Sequence, residues 1–287
     1  MWKDSYLVGI ELIDDQHKQL FNAVGELKDS LAINDKARYK KQLYKTITFL
    51  KDYCRTHFDD EQEYMKRIGF EDYDAHKRAH DKLLDGVADY RSRLLKTNFD
   101  HHIVESFLGF LTTWLIYHIG VEDQQISKHE QISVLELKYE SIYHEYAENT
   151  KTVLHILTGL SEQDISIAFE SSMRLDSGVC FNVRLNNAKE LSGIDFVFSN
   201  HLAYGLVKEM TDMDATKSAD MMYSALREVS EIIGTKIAGL LSRDTATNIN
   251  IELPGLVQIG DINKTASGFA VNTGLGAMEV FLSTTVI

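Results

Sequence analysis

Between residues 17 and 32, "HKQLFNAVGELKDSLA", apolar side chains recur at positions 20, 21, 24, 27 and 31. That three-to-four-residue step is the signature of one buried helix face. The same period runs through 39–69, 73–95 and 103–120, and the last of these is the most apolar. Gly69 follows the second stretch as a stop signal. Four such segments with short connections predict an all-α antiparallel four-helix bundle. A single proline, Pro254, leaves the helices free to run uninterrupted.

Past the middle the pattern changes. Residues 178–185 and 191–199 alternate or run apolar like strands, 201–211 and 218–242 read as helices, and 248–260, 266–275 and 276–287 return to strands. Strands and helices that do not strictly alternate predict an α+β domain. Between the halves, Leu135, Tyr139, Ile142, Tyr146, Asn149, Val153, Ile156 and Leu160 step by four and three. A helical connector with a heptad seam and one polar position, Asn149, fits this as a dimeric coiled coil. An amphipathic helix packed on its own domain fits it equally. The expected layout is a multidomain chain: bundle 1–130, connector 131–163, α+β domain 164–287.

Charge narrows the partners. The formal net charge is −13, and residues 164–287 alone carry 15 acidic against 9 basic side chains. No basic block is present to meet nucleic acid or an anionic membrane. No apolar run is expected to span a bilayer, and the N-terminal "MWKDSYLVGIELIDDQH" has no signal-peptide pattern, so a cytoplasmic protein is expected. Cys54 and Cys180 fall in different predicted domains and read as reduced thiols.

The histidines carry the chemistry. His76 and His80, in "YDAHKRAHDKL", sit one turn apart on one helix face. Alone, such a pair is more often a surface feature than half of a metal site. His57 and Glu61 share the i, i+4 spacing in "HFDDE", His118 and Asp123 close the fourth helix in "HIGVED", and His17 opens the first in "IDDQH". In an antiparallel bundle all seven can meet near one end. Five imidazoles and two carboxylates exceed what one zinc takes and suit two first-row ions. With Glu61, Asp123 and a solvent-derived oxygen bridging, the imidazoles divide three and two, and one ion keeps an open position.

At these residues the chain resembles a known family. "WKDSYLVGIELIDDQHKQLF", "HFDDEQEYM", "HKRAH" and "WLIYHIGVED" are similar, in order, to segments of the bacterial hemerythrins. The resemblance covers about the first 125 residues. It implies two non-haem iron ions with an oxo or hydroxo bridge, dioxygen as the ligand, and a role in oxygen or redox sensing. It implies that His76, His80 and His118 hold one iron, His17 and His57 the other, and that Glu61 and Asp123 bridge. Paired Glu-x-x-His motifs of ferritin-like oxidase sites are absent from the sequence.

In the second half, "SALREVSEIIGTKIAG" (224–239) reads first as an amphipathic helix with a solvated face holding Ser224, Glu228 and Glu231. It also resembles the signature helix of the CheX/CheC chemotaxis phosphatases, with Ser224, Glu228 and Pro254 in register and Glu231 where that family has Asn. The resemblance implies hydrolysis of the aspartyl phosphate of a CheY-like response regulator, which carries its own Mg2+. Glu228 would engage the regulator as an exposed residue, and position 231 would orient the attacking water. It also implies a homodimer. A carboxylate at 231 can hold a water but repels a phosphoryl group. Three functions therefore stand open: an oxygen- or redox-governed phosphatase, a non-catalytic adaptor that binds the regulator, and oxygen storage or scavenging with a dimerising second domain.

Overall fold

In the computed structural model, which describes residues 2–33, 35–128, 142–169, 175–188, 191–245, 247–262 and 267–284, the ends of the first helices are set by short polar side chains and glycine. Helix α1 (Glu11–Ala32) follows a loop tied down by Asp14, which accepts from the backbone N–H groups of Val8 and Gly9. Helix α2 (Lys36–Ile68) starts at Asp35, whose carboxylate accepts from the Ala37 and Arg38 amides. It stops at Gly69, whose φ of 68° lets the amides of Gly69 and Phe70 cap Lys66 and Met65. Helix α3 (Tyr73–Lys96) ends at two left-handed residues without glycine, Asn98 and Phe99. Helix α4 (His101–Tyr117) is capped by Asp100. It passes through a π-helical turn (His118–Glu122) into α5 (Asp123–Lys128). α1 packs on α2 and α4, and α3 on α2 and α4, closing a four-membered ring.

Two expectations need amending here. α1 begins at Glu11, so His17 stands in its second turn and not at its start. The continuous helix His101–Ile126 has 26 residues and is long and apolar enough to cross a membrane by length and composition. Of its most apolar window, 83% is buried inside the structure, the behaviour of a core helix.

The chain divides into two units, Met1–Glu136 and Leu137–Ile287. In the second, helix α6 (Ile142–Thr158) leads into strand β1 (Ser166–Ala168), then β2 (Val179–Asn186), β3 (Leu191–Phe198), helix α7 (Asn200–Thr211), the long helix α8 (Ala219–Thr245), and strands β4 (Asn250–Ile251), β5 (Gly255–Val257), β6 (Ser267–Thr273) and β7 (Gly276–Thr284). The sheet is antiparallel in the order β1-β6-β7-β3-β2-β4, with β5 also paired to β2. The expected strand 248–260 is two short ones. Pro254 has no amide for the ladder, so pairing to β2 breaks there and resumes at Gly255. β1 was not expected from the sequence.

Alternation along the strands gives the sheet two buried faces. On one, Val183, Phe196, Val280 and Phe269 receive the helices. Gly234 of α8 lies so close to Val183 that a Cβ there would sit 3.2 Å from its Cγ1. On the other, Cys180, Val197, Phe281 and Ile262 form a smaller core. Both cysteines are free and buried, one in each unit.

Helix α6 covers residues 142–158 of the heptad stretch. It packs against α7, α8, β1 and β6 of its own unit. Its buried positions are Tyr146, Ala147, Thr150, Val153, Leu154, Leu157 and Thr158, a stripe wider than a coiled-coil seam. Asn149 turns its amide back to Glu145 O at 2.8 Å, and Leu160 lies beyond the helix end. Leu135 and Tyr139 fall outside the described residues. Over 142–158 the pattern is that of a helix packed on its own domain.

Candidate metal centre

Each bundle helix delivers ligands through its own geometry. α1 contributes His17, α2 contributes His57 and Glu61, and α3 contributes His76 and His80; the last two pairs are one turn apart on a single face. His118 opens the π-turn and Asp123 closes it. Residues five apart on an α-helix point roughly 140° away from each other. The π-turn removes that offset, with the Asp123 amide donating to His118 O. All seven side chains are buried.

They form two overlapping groups. Glu61, His76, His80, His118 and Asp123 bring one ligand atom each within 4.8 Å of one another, and His17, His57 and Glu61 do the same. Glu61 Oε2 lies 3.2 Å from His76 Nε2 and 3.0 Å from His80 Nε2. Asp123 spans the groups: Oδ1 is 3.3 Å from His76 Nε2 and 3.1 Å from His118 Nε2, and Oδ2 is 3.1 Å from His17 Nε2. His80 Nε2 and His118 Nε2 approach to 2.8 Å. The structure brings together every ligand expected from the sequence.

Several of these close approaches are not hydrogen bonds. Both Asp123 oxygens, Glu61 Oε1 and both His17 nitrogens are buried without a hydrogen-bond partner among the described residues. Buried acceptor atoms within 4.8 Å of one another are the donor set that a bound cation would satisfy. The electrostatics agree. Burial pushes His57 and His118 down to about 3 and His17 down to about 4, and it also lowers His80, so these imidazoles are neutral donors. Burial opposes the charge on His76 too, but the Glu61 hydrogen bond and the charges of Asp123 and Glu61 raise it on balance. Asp123 is pushed well above the usual carboxylate range, first by burial and then by the charge of Glu61. Glu61 is held well below it: burial opposes, and the His76 and His80 hydrogen bonds prevail. Two buried carboxylates that oppose each other's charge are the pair a bound cation would let ionise together.

Partners behind the ligands set their tautomers. His57 Nδ1 is 3.0 Å from Gln16 Oε1, and Gln16 donates onward to Asp60 Oδ2 at 2.6 Å. His118 Nδ1 is 2.6 Å from Glu122 Oε2. In both, the Nδ1 proton is engaged and Nε2 is left free for the centre. Phe58 stacks on His80 with centroids 3.7 Å apart, and Trp114 stacks on His118 at 4.2 Å. Gln16, Asp60, Glu122 and these rings were not singled out from the sequence. Only Glu122 carried a readable signal, its i, i+4 spacing to His118.

The second expected site is placed differently from expectation. Glu228 and Glu231 lie on α8 as predicted, but Glu228 is only 2% and Glu231 only 8% exposed. The expectation of an exposed Glu228 is therefore corrected. α8 packs against β2, β4, α6 and α7, and every residue from 228 to 234 is buried. Ser224, one turn earlier, is half-buried.

A four-helix bundle with a buried histidine–carboxylate pocket defines a metal-binding helical domain. The family model described as "Hemerythrin HHE cation binding domain" matches residues 8–128. The Bacteriohemerythrin of Clostridium acetobutylicum is 30% identical over 129 residues, which are 44% of this chain and 96% of that protein. The Bacteriohemerythrin of Methylococcus capsulatus is 33% identical over 111 residues, 39% of this chain and 80% of that protein. Through this half the chain belongs to the hemerythrin family, and it carries a hemerythrin-type iron- and oxygen-binding domain. Among solved structures, the chain is similar to one from a Borrelia burgdorferi complex of CheX and CheY with BeF3 and Mg2+, at 17% identity and a TM-score of 0.40, over 50% of this chain and 98% of that one.

Proposed function

We propose that the chain is a cytoplasmic diiron protein that binds dioxygen and passes the state of its centre to a phosphorylated response regulator. One observation carries the first half of this reading: seven buried ligands in two overlapping groups that share Glu61. His76, His80 and His118 would hold one iron, His17 and His57 the second, with Glu61 and Asp123 common to both. Bound iron supplies reversible redox chemistry and a coordination position for a small diatomic. The chain's own residues position the donors, hold four of the imidazoles neutral, and stack Phe58 and Trp114 on His80 and His118. Iron analysis tests this: about two irons per chain are expected from the donor set. One iron per chain, or stoichiometric zinc, overturns it.

For the second half the reading is hydrolysis of the regulator's aspartyl phosphate. Water adds to phosphorus, the carboxylate–phosphorus bond breaks, and inorganic phosphate leaves, with Mg2+ held by the regulator. The register of Ser224, Glu228 and Pro254 supports it. The burial of Glu228 and Glu231 favours a second reading, an adaptor that binds the regulator without hydrolysis. Phosphate release from an acyl-phosphorylated regulator, with and without oxygen, separates the two. Hydrolysis above the regulator's own rate supports the first, and binding without hydrolysis the second. The same reading includes a homodimer through the second unit, where Leu253 and Leu256 are exposed beside the β4–β5 edge. Light scattering at the monomer mass rejects that part.

A further inference from the structure

The partners behind the ligands differ between the two halves of the centre. On the side of His76, His80 and His118, one ligand is backed by an anion: the Nδ1–H of His118 donates to Glu122 Oε2 at 2.6 Å. On the side of His17 and His57, the backing group is neutral: the Nδ1–H of His57 donates to the Gln16 amide oxygen at 3.0 Å. The Nδ1 atoms of His17 and His80 are buried with no hydrogen-bond partner among the described residues. The π-turn creates the asymmetry. It aims His118 and Asp123 into one pocket while leaving Glu122, four residues after His118, against the outer edge of the imidazole. The Glu122 side chain keeps 30% of its exposure, so it lies at the rim of the pocket and not among the ligands.

A carboxylate that accepts from the far nitrogen of a ligating imidazole does two things. It locks the ring's tautomer and orientation, and it raises the electron density at the ligating nitrogen. A neutral amide does the first and much less of the second. We propose that Glu122 is a positioning and tuning residue for the metal centre: by holding His118 as a charged hydrogen-bond pair it makes the three-histidine side the more electron-rich. Iron on that side is then the harder of the two to reduce. Glu122 touches neither metal nor dioxygen and acts through His118.

This inference rests on the diiron reading, and the test separates the two. The iron content of the wild-type chain decides the reading. The variants are then compared at equal iron content, in the full chain. Glu122→Gln keeps an acceptor for Nδ1–H and removes the charge. Its reduction midpoint is expected to move positive, with helicity and iron content unchanged. Glu122→Ala removes the orientation as well, and iron release to a chelator is expected to speed up about 10- to 100-fold. Gln16→Glu places a charge behind His57 and is expected to move the midpoint negative, so the charge effect is measurable even if a Glu122 variant folds poorly. Wild-type midpoints in both Glu122→Gln and Gln16→Glu overturn the proposal. So does wild-type iron release in Glu122→Ala.

Discussion

The Asp123 amide donates to the carbonyl of His118, five residues back, and this one backbone bond places two side chains of the candidate metal centre in the same pocket. The turn is π-helical over His118–Glu122, inside an otherwise continuous helix from His101 to Ile126. A regular helix would carry Asp123 roughly 140° around the axis from His118. Single-turn π-helices of this kind are associated with functional sites, and here the reason is geometric. Inserting one alanine between Gly120 and Val121 turns Asp123 by about a further 100°. The expected result is loss of iron with far-ultraviolet helicity retained. Full iron content in the insertion variant would show that the turn does not set the ligand geometry.

Acid should weaken the iron-free bundle in a defined window. His57 and His118 sit at about 3 and His17 at about 4 in the folded chain, against an ordinary value of 6.5. Between these limits the unfolded chain binds protons that the folded chain refuses, so stability falls as pH falls through that range. Each group costs about 2 kcal/mol between pH 6.5 and 5. His76 is raised and works in the opposite sense: its contribution is full below the unfolded value and fades as pH rises through the folded one. Asp123, whose carboxyl is also raised, works in the same sense as His76, but four lowered imidazoles, His80 among them, outweigh these two, so the urea midpoint of the iron-free protein should drop from pH 7 to about 5. His57→Gln should flatten that slope. A flat profile in the unsubstituted protein contradicts the assignment of neutral buried imidazoles.

Glu228 should behave as a buried polar residue before it behaves as anything else. It is 2% exposed and takes part in polar interactions. Truncation to alanine leaves its neighbours unsatisfied, and the second unit should lose about 1–3 kcal/mol. Loss of phosphatase activity in Glu228→Ala therefore means little unless the unfolding midpoint is measured beside it. Glu231→Asn is the sharper variant, because it removes a charge that repels a phosphoryl group and keeps a polar side chain one methylene shorter. Faster phosphate release in this variant identifies Glu231 as a brake on hydrolysis. No release in either protein leaves the adaptor reading.

Helix α6 supplies a control for domain allegiance. Leu154 is fully buried, on a helix packed against α7, α8 and β6. Leu154→Ala should destabilise the second unit by about 2–5 kcal/mol and leave the iron content unchanged. Asn149→Leu should leave the oligomeric state as it is, since the Asn149 amide is spent on Glu145 O of its own helix. A change of mass in solution on Asn149→Leu would support the coiled-coil reading.

The candidate ligands could be singled out from the sequence because two of the pairs, His57 with Glu61 and His76 with His80, obey the i, i+4 rule that any helix imposes. The stop at Gly69 was legible because few residues other than glycine tolerate the left-handed conformation found there. Other features were not local. Periodicity showed that residues 142–158 have an apolar face, but not which surface buries it; packing assigned that face to α7, α8 and the sheet. The same limit hid Glu228: an acidic residue on an amphipathic helix reads as solvated, until strands and helices from elsewhere in the chain enclose all of 228–234. His118 and Asp123 were recognised as a pair although their spacing of five does not share an α-helical face. The tertiary structure supplied the π-turn that makes the pairing possible, and with it the contact between Glu122 and His118. Sequence determines which groups a helix can offer on one face. Only the packed fold decides what lies opposite that face, and hence which groups are ligands, which are partners behind them, and which are buried.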